Sequence, residues 1–186
     1  MANQKKAPGT ASSGAIPGDG HPERPADGRR RLTVALGIAL IEPRIPPNTG
    51  NIARLSAATG SALHLIEPLG FTLEDEQLRR AGLDYWDAVD LWVHQHWRAF
   101  RAAVSRDRCL YFSTHGERSY LDAPYATNSV LVLGSETHGM PERIRDKHPD
   151  QLFRIPMTSD VRSLNLATAV AIVTYEAIRQ LGLSLG

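Results

Sequence analysis

Apolar residues along this chain gather into short runs separated by polar turns, and the spacing within the runs alternates between strand-like and helix-like. Residues 32–41 and 62–66 are dense in Leu, Ile, Val and Ala, the second run bounded by Gly60 and Pro68, and both predict strands. Residues 48–59 between them predict a helix. A short helix follows over 74–80, a brief strand over 88–93 and a helix over 97–105, then strands over 109–113 and 129–133. Residues 141–147 form a short helix with Pro141 in its first turn, and 152–155 form a last strand. Residues 164–181 form a long helix stopped by Gly182. Strands alternating with helices predict an α/β domain, a mainly parallel sheet with helices on both faces.

The last helix is unusual in its pattern. Leu166, Ala169, Val170, Ile172, Val173, Tyr175, Ala177 and Ile178 cover most of its circumference instead of one stripe, so it needs burial nearly all round. A partner subunit and a central place in a monomer core would each supply that burial.

Composition narrows the class. At 186 residues the chain is sized for a single domain. The expected division is a basic tail over residues 1–30, rich in Pro, Gly and Ser and of disordered type, followed by one domain over 31–186. No apolar run is long enough to span a bilayer, and the first thirty residues lack the apolar core of a secretory signal, so the expected compartment is the cytoplasm. Cys109 stands alone, which excludes an internal disulfide and gives no zinc-ligand spacing; no metal is expected. The net charge of +1 divides unevenly. Residues 1–31 hold Lys5, Lys6, Arg24, Arg29, Arg30 and Arg31 against Asp19, Glu23 and Asp27, a surplus of three positive charges that leaves the remainder at −2. Binding to a polyanion must therefore come from local patches, from assembly or from the tail.

Three stretches carry candidate chemistry. The first, Pro46-Pro47-Asn48-Thr49-Gly50-Asn51-Ile52-Ala53-Arg54, reads as a strand-to-helix turn in which Asn48 caps the helix. Asn51 and Arg54, three apart, share a face near that end, where they can hold a phosphate or ribose together or stand as ordinary solvated side chains. The second, Leu131-Val132-Leu133-Gly134-Ser135-Glu136-Thr137-His138-Gly139-Met140-Pro141, is another strand running into a turn. Gly134 and Gly139 would let a ligand approach main chain beyond the strand end. It is neither a dinucleotide fingerprint nor a phosphate loop, so hydride transfer and nucleotide hydrolysis lose ground. The third, residues 154–167, is a polar loop in which Ser163 is placed to cap the last helix, with Asn165 close behind.

Together these stretches resemble the knotted SPOUT methyltransferases, most closely the YibK/TrmL type that methylates the ribose of the tRNA wobble nucleotide. The resemblance runs from about Leu32 to Leu183 and takes in the runs at 65–71, 78–85 and 175–181 as well. It implies a deep C-terminal trefoil knot, an exception to the usual avoidance of knots. It also implies a homodimer with the active site at the subunit interface, S-adenosyl-L-methionine as methyl donor (S-adenosyl-L-homocysteine as product) and the tRNA anticodon stem-loop as partner. Two other readings keep the fold: methylation of a different tRNA or rRNA ribose, and a non-catalytic RNA-binding factor.

By the same resemblance, Leu133, Gly134, Gly139, Ile155, Pro156, Ser163 and Leu164 would hold the donor, with Phe112 and Thr114 ending a neighbouring strand. Arg54 would orient the ribose and stabilise its developing alkoxide, with Asn51 beside it and Glu136, Ser163, Asn165 and Tyr175 shaping the site; a guanidinium does not give up its proton at ordinary pH. Asn48, Arg79, Arg80 and Arg162 are candidates for RNA contact, and Tyr85, His94 and His96 for stacking on bases. Two positions depart from close relatives of this type: Ser135 stands where they carry Pro, and Ala167 where they carry Ser. Both put base preference in question before reaction class.

Overall fold

The computed structural model describes residues 36–73 and 86–185. Seven strands make one sheet: β1 (Gly37–Ile41), β2 (Ala62–Ile66), β3 (Leu91–His94), β4 (Cys109–Phe112), β5 (Arg118–Ser119), β6 (Val130–Leu133) and β7 (Leu152–Arg154). Their order across the sheet is β3-β2-β1-β6-β4-β7-β5, and every neighbouring pair is parallel. The expected α/β class and parallel sheet are both present.

Side-chain alternation explains why these runs looked continuously apolar. On β1, Ile38 and Leu40 point to one face and Ala39 and Ile41 to the other, yet all are buried. The first face meets α1 (Pro46–Thr59) and α4 (Leu166–Leu181), which contribute Ile52, Ala53, Leu166, Val170, Val173 and Ala177 to the larger core. The second face meets α2 (Trp97–Ala103) and α3 (Glu142–Arg145), through Phe100 and Ile144. Helices therefore cover both sides, as a parallel sheet requires.

Element boundaries differ from the sequence reading for local reasons. β1 starts at Gly37; Leu36 precedes it, and residues 32–35 lie outside the described residues, as do the expected helix over 74–80 and the tail. Val89 N–H bonds back to the Trp86 carbonyl, closing a 3-10 turn, so β3 begins only at Leu91. α2 ends at Ala103, where Val104 is already extended. Pro141 is the cap of α3 and not part of its first turn. Asn48 does not cap α1: the cap is Ile45, which makes no side-chain bond, and Pro46 and Pro47 occupy the first turn, where missing N–H groups cost least. Ser163 does not cap α4 either. That role falls to Asn165, whose Oδ1 accepts from Ala167 N–H at 2.9 Å and Thr168 N–H at 3.3 Å. Gly182 stops α4 in the left-handed region at φ 61°, as expected.

Candidate active site

The chain leaves β1 toward β2 on one side and returns to place β6 on the other, so the strand order reverses between β1 and β6. In such sheets ligands collect beyond the carboxyl ends of the strands at the reversal. The segments leaving β1, β6, β4 and β7 all lie at that end, and side chains tie three of them together. The Glu136 carboxylate accepts from Arg44 N–H at 2.8 Å, Ile45 N–H at 3.3 Å and Asn48 Nδ2 at 3.1 Å. Asn48 in turn accepts at Oδ1 from Asn165 Nδ2 at 2.9 Å. One connected chain, Glu136–Asn48–Asn165, thus joins the loop after β6, the start of α1 and the start of α4. Each amide uses both ends, so neither can rotate without losing a bond.

The loop after β6 is shaped by its own backbone. Ser135 and Gly139 exchange N–H···O bonds of 3.1 and 2.9 Å, folding residues 135–139 back over Gly134. A Cβ on Gly134 would stand 2.1 Å from the Gly139 carbonyl carbon. The protein's own main chain therefore requires glycine here, and Gly134 also lines the cleft. Gly139 has open space around it and a φ of +66°, which glycine adopts without strain. Ser135 Oγ accepts from His138 N–H, and Thr137 Oγ1 lies 2.9 Å from His138 Nδ1.

These loops enclose a cleft of about 490 Å³. Phe112, Leu133, Ile155 and Leu164 give it apolar walls; Thr114, Gly134, Gly139, Ser163, Glu136, Asn165, Asn48 and Arg162 complete the set of sequence candidates that line it. Pro156 lies just outside, in an adjoining cavity. Asn51, Arg54 and Tyr175 do not line the cleft. All three are exposed on α1 and α4, helices that pack against each other, and Tyr175 keeps 49% of its surface open. Around Tyr175, the helix pattern read as needing burial all round leaves Thr168, Ala171, Ile172 and Arg179 exposed or half-buried. Arg79, Arg80 and Tyr85 lie outside the described residues.

His94 is not available to stack on a base. It is buried, with its Nε2 3.0 Å from His64 Nδ1, and both rings pack on Phe100. Burial first, then the neighbouring His94 and Arg108, hold His64 down to about 3, so it is neutral at ordinary pH. His96 is exposed and caps α2, its Nδ1 accepting from Ala99 N–H.

Sequence reasoning missed several cleft residues. Ser135, Thr137, His138 and Met140 sit inside the second motif and Met157 inside the third, all legible by position; Ile45, His115 and Ala169 carried no signal, because only the fold brings them to the cleft. Among the described residues there is no cluster of three or more His, Cys, Asp or Glu able to hold a metal, and no helix long and apolar enough to cross a membrane.

Comparison with known proteins adds independent information. The SpoU rRNA Methylase family matches residues 35–175. A tRNA (cytidine(34)-2'-O)-methyltransferase of Methylovorus glucosotrophus is 48% identical over 144 residues, covering 77% of this chain and 94% of that protein. A solved structure concerned with 2-OH methylation of C/U34 on tRNA is 47% identical, covers 79% of this chain and 96% of its own, and superposes with a TM-score of 0.76. An AdoMet-bound rRNA methyltransferase from Sinorhizobium meliloti is 28% identical, with a TM-score of 0.69 over 78% of this chain and 56% of that one.

Proposed function

Since this chain belongs to the SpoU methylase family, we propose that it transfers a methyl group from S-adenosyl-L-methionine to the ribose 2'-hydroxyl of the wobble nucleotide, cytidine or uridine, in the tRNA anticodon loop. The observation that carries the reading is the Glu136–Asn48–Asn165 chain, which gathers three loops around one cleft at the sheet's reversal point. Relatives of nearly half identity over almost their whole length act on that position of tRNA. The reading includes the family's deep C-terminal trefoil knot, a homodimer and a cytoplasmic setting.

The cleft fits the donor. Its 490 Å³ lies in the range of small-molecule sites, and its apolar walls at Phe112, Leu133, Ile155 and Leu164 suit a flat aromatic base. The loops at Leu133-Gly134, Ile155 and Ser163-Leu164 bring main-chain donors and acceptors to its edge. When bound, the donor supplies an electrophilic methyl on a positively charged sulfur for in-line displacement by a ribose oxygen.

The protein's contribution is chiefly positioning. Asn165 and Asn48 fix the loops, and Glu136 holds the main chain of Arg44 and Ile45, so the walls are set before either substrate arrives. Arg54, exposed on α1, reaches the cleft of the partner protomer in this reading, together with Asn51 and Tyr175. There its guanidinium orients the ribose and adjacent phosphate and stabilises the alkoxide as the hydroxyl proton passes to solvent water. Ribose-methylation mapping of tRNA incubated with the protein and S-adenosyl-L-methionine tests this. The expected product carries the methyl on the ribose of nucleotide 34; a methyl at another ribose, or none with intact donor binding, overturns the assignment.

A further inference from the structure

Continuous with the cleft, sharing Thr114, Ile155, Met157 and Arg162 with it, lies a second cavity of about 270 Å³ whose other walls are Arg154, Pro156, Thr158 and Val161. Neither Arg154 nor Arg162 has an ion pair or side-chain hydrogen bond among the described residues. Most arginines elsewhere in the fold are engaged. Arg44 pairs with Glu42, Arg145 with Glu142 and Asp146, and Arg179 with Glu176; Arg106, Arg108 and Arg118 donate to carbonyls. Two permanent cations left without partners on one small cavity repel each other, and an anion between them removes that cost. Residues 32–186 carry a net charge of −2, so this surplus is local.

Shape decides which anion. A guanidinium fork flanked by hydroxyls matches the oxygens of a phosphate. Arg154, Thr158, Val161 and Arg162 are all exposed, so the cavity opens at the mouth of the cleft, where a strand passing over it would lie. Val161, with 53% of its surface open, offers an apolar seat for a sugar or base beside the charges. We propose that this annex binds a backbone phosphate of the RNA adjacent to the nucleotide held in the cleft, with Arg154 and Arg162 as its paired donors. The proposal rests on the RNA-methylating reading above and adds to it a subsite and a role for Arg154, which begins the third stretch but had none assigned.

The test is equilibrium binding of tRNA to the full chain as a function of salt, with methyl-donor affinity measured in parallel by calorimetry. Arg154→Ala is expected to weaken tRNA binding roughly tenfold at low salt and to lower the slope of log affinity against log salt by about one. Donor affinity should stay unchanged, and Arg154→Lys should recover most of the slope. Wild-type protein that methylates its tRNA while Arg154→Ala keeps both affinity and slope overturns the annex alone. Loss of donor affinity with an unchanged slope also overturns it, because the bound anion would then be the donor's carboxylate. A wild-type chain that binds no tRNA overturns both readings.

Discussion

Glu136 does two jobs with one carboxylate. It satisfies two backbone N–H groups that a tight turn would leave without partners, and it orients an asparagine that bridges to the next loop. Replacing it with alanine leaves three donors to find water, so Glu136→Ala should cost about 1–3 kcal/mol of stability. It should also weaken donor binding more than it slows methylation at saturating donor, and thermal melting with and without S-adenosyl-L-methionine would separate the two effects. The identity of Glu136 as a site residue was legible in its motif, but its partners were not. Bonds between residues 88 to 117 positions apart depend on which strands become neighbours, and spacing along the chain does not encode that. The same limit misassigned both helix caps: Asn48 and Ser163 have capping side chains at sensible places, yet Asn48 is drawn into the Glu136 chain and Asn165 serves α4 instead.

At the scale of elements, the edge of the sheet holds a pH-sensitive contact. β2 and β3 pair in register His64 to Trp92 and Ile66 to His94, bringing two imidazoles together in a buried pocket of rings. The unfolded chain takes up a proton at His64 near the ordinary value of 6.5, whereas the folded chain resists until about 3. The unfolded state therefore binds more protons in between. The stabilising contribution is complete above 6.5 and is lost as pH falls toward 3, at up to about 1.4 kcal/mol per pH unit for one such group. Urea unfolding of wild type and His64→Phe at several pH values from 7 to 4 checks this, the variant showing the shallower decline. The strands themselves were largely legible, because β1, β2, β4 and β6 are buried on both faces and so read as continuous apolar runs. β5 was not: two residues, Arg118 and Ser119, carry no period at all, and only pairing with β7 makes them a strand.

For the whole molecule, the separation of Arg54 from its own cleft makes a sharp demand. If each cleft is completed by the neighbouring protomer, Arg54→Ala and Asn165→Ala are each inactive alone, yet an exchanged mixture contains heterodimers with one intact site. Equal amounts should recover roughly a quarter of wild-type activity, the share expected for random two-fold assembly; no recovery after verified subunit exchange would mean that Arg54 acts within its own chain or not at all. The order of the strands has a consequence for synthesis. β7, made late, fills the slot between β4 and β5, and β5 has no other neighbour. A ribosome that stalls before residue 152 therefore releases a nascent chain with a bare backbone edge in the middle of its unfinished sheet. Chains truncated at residue 150 should accumulate as insoluble material even though six of the seven strands have already been translated.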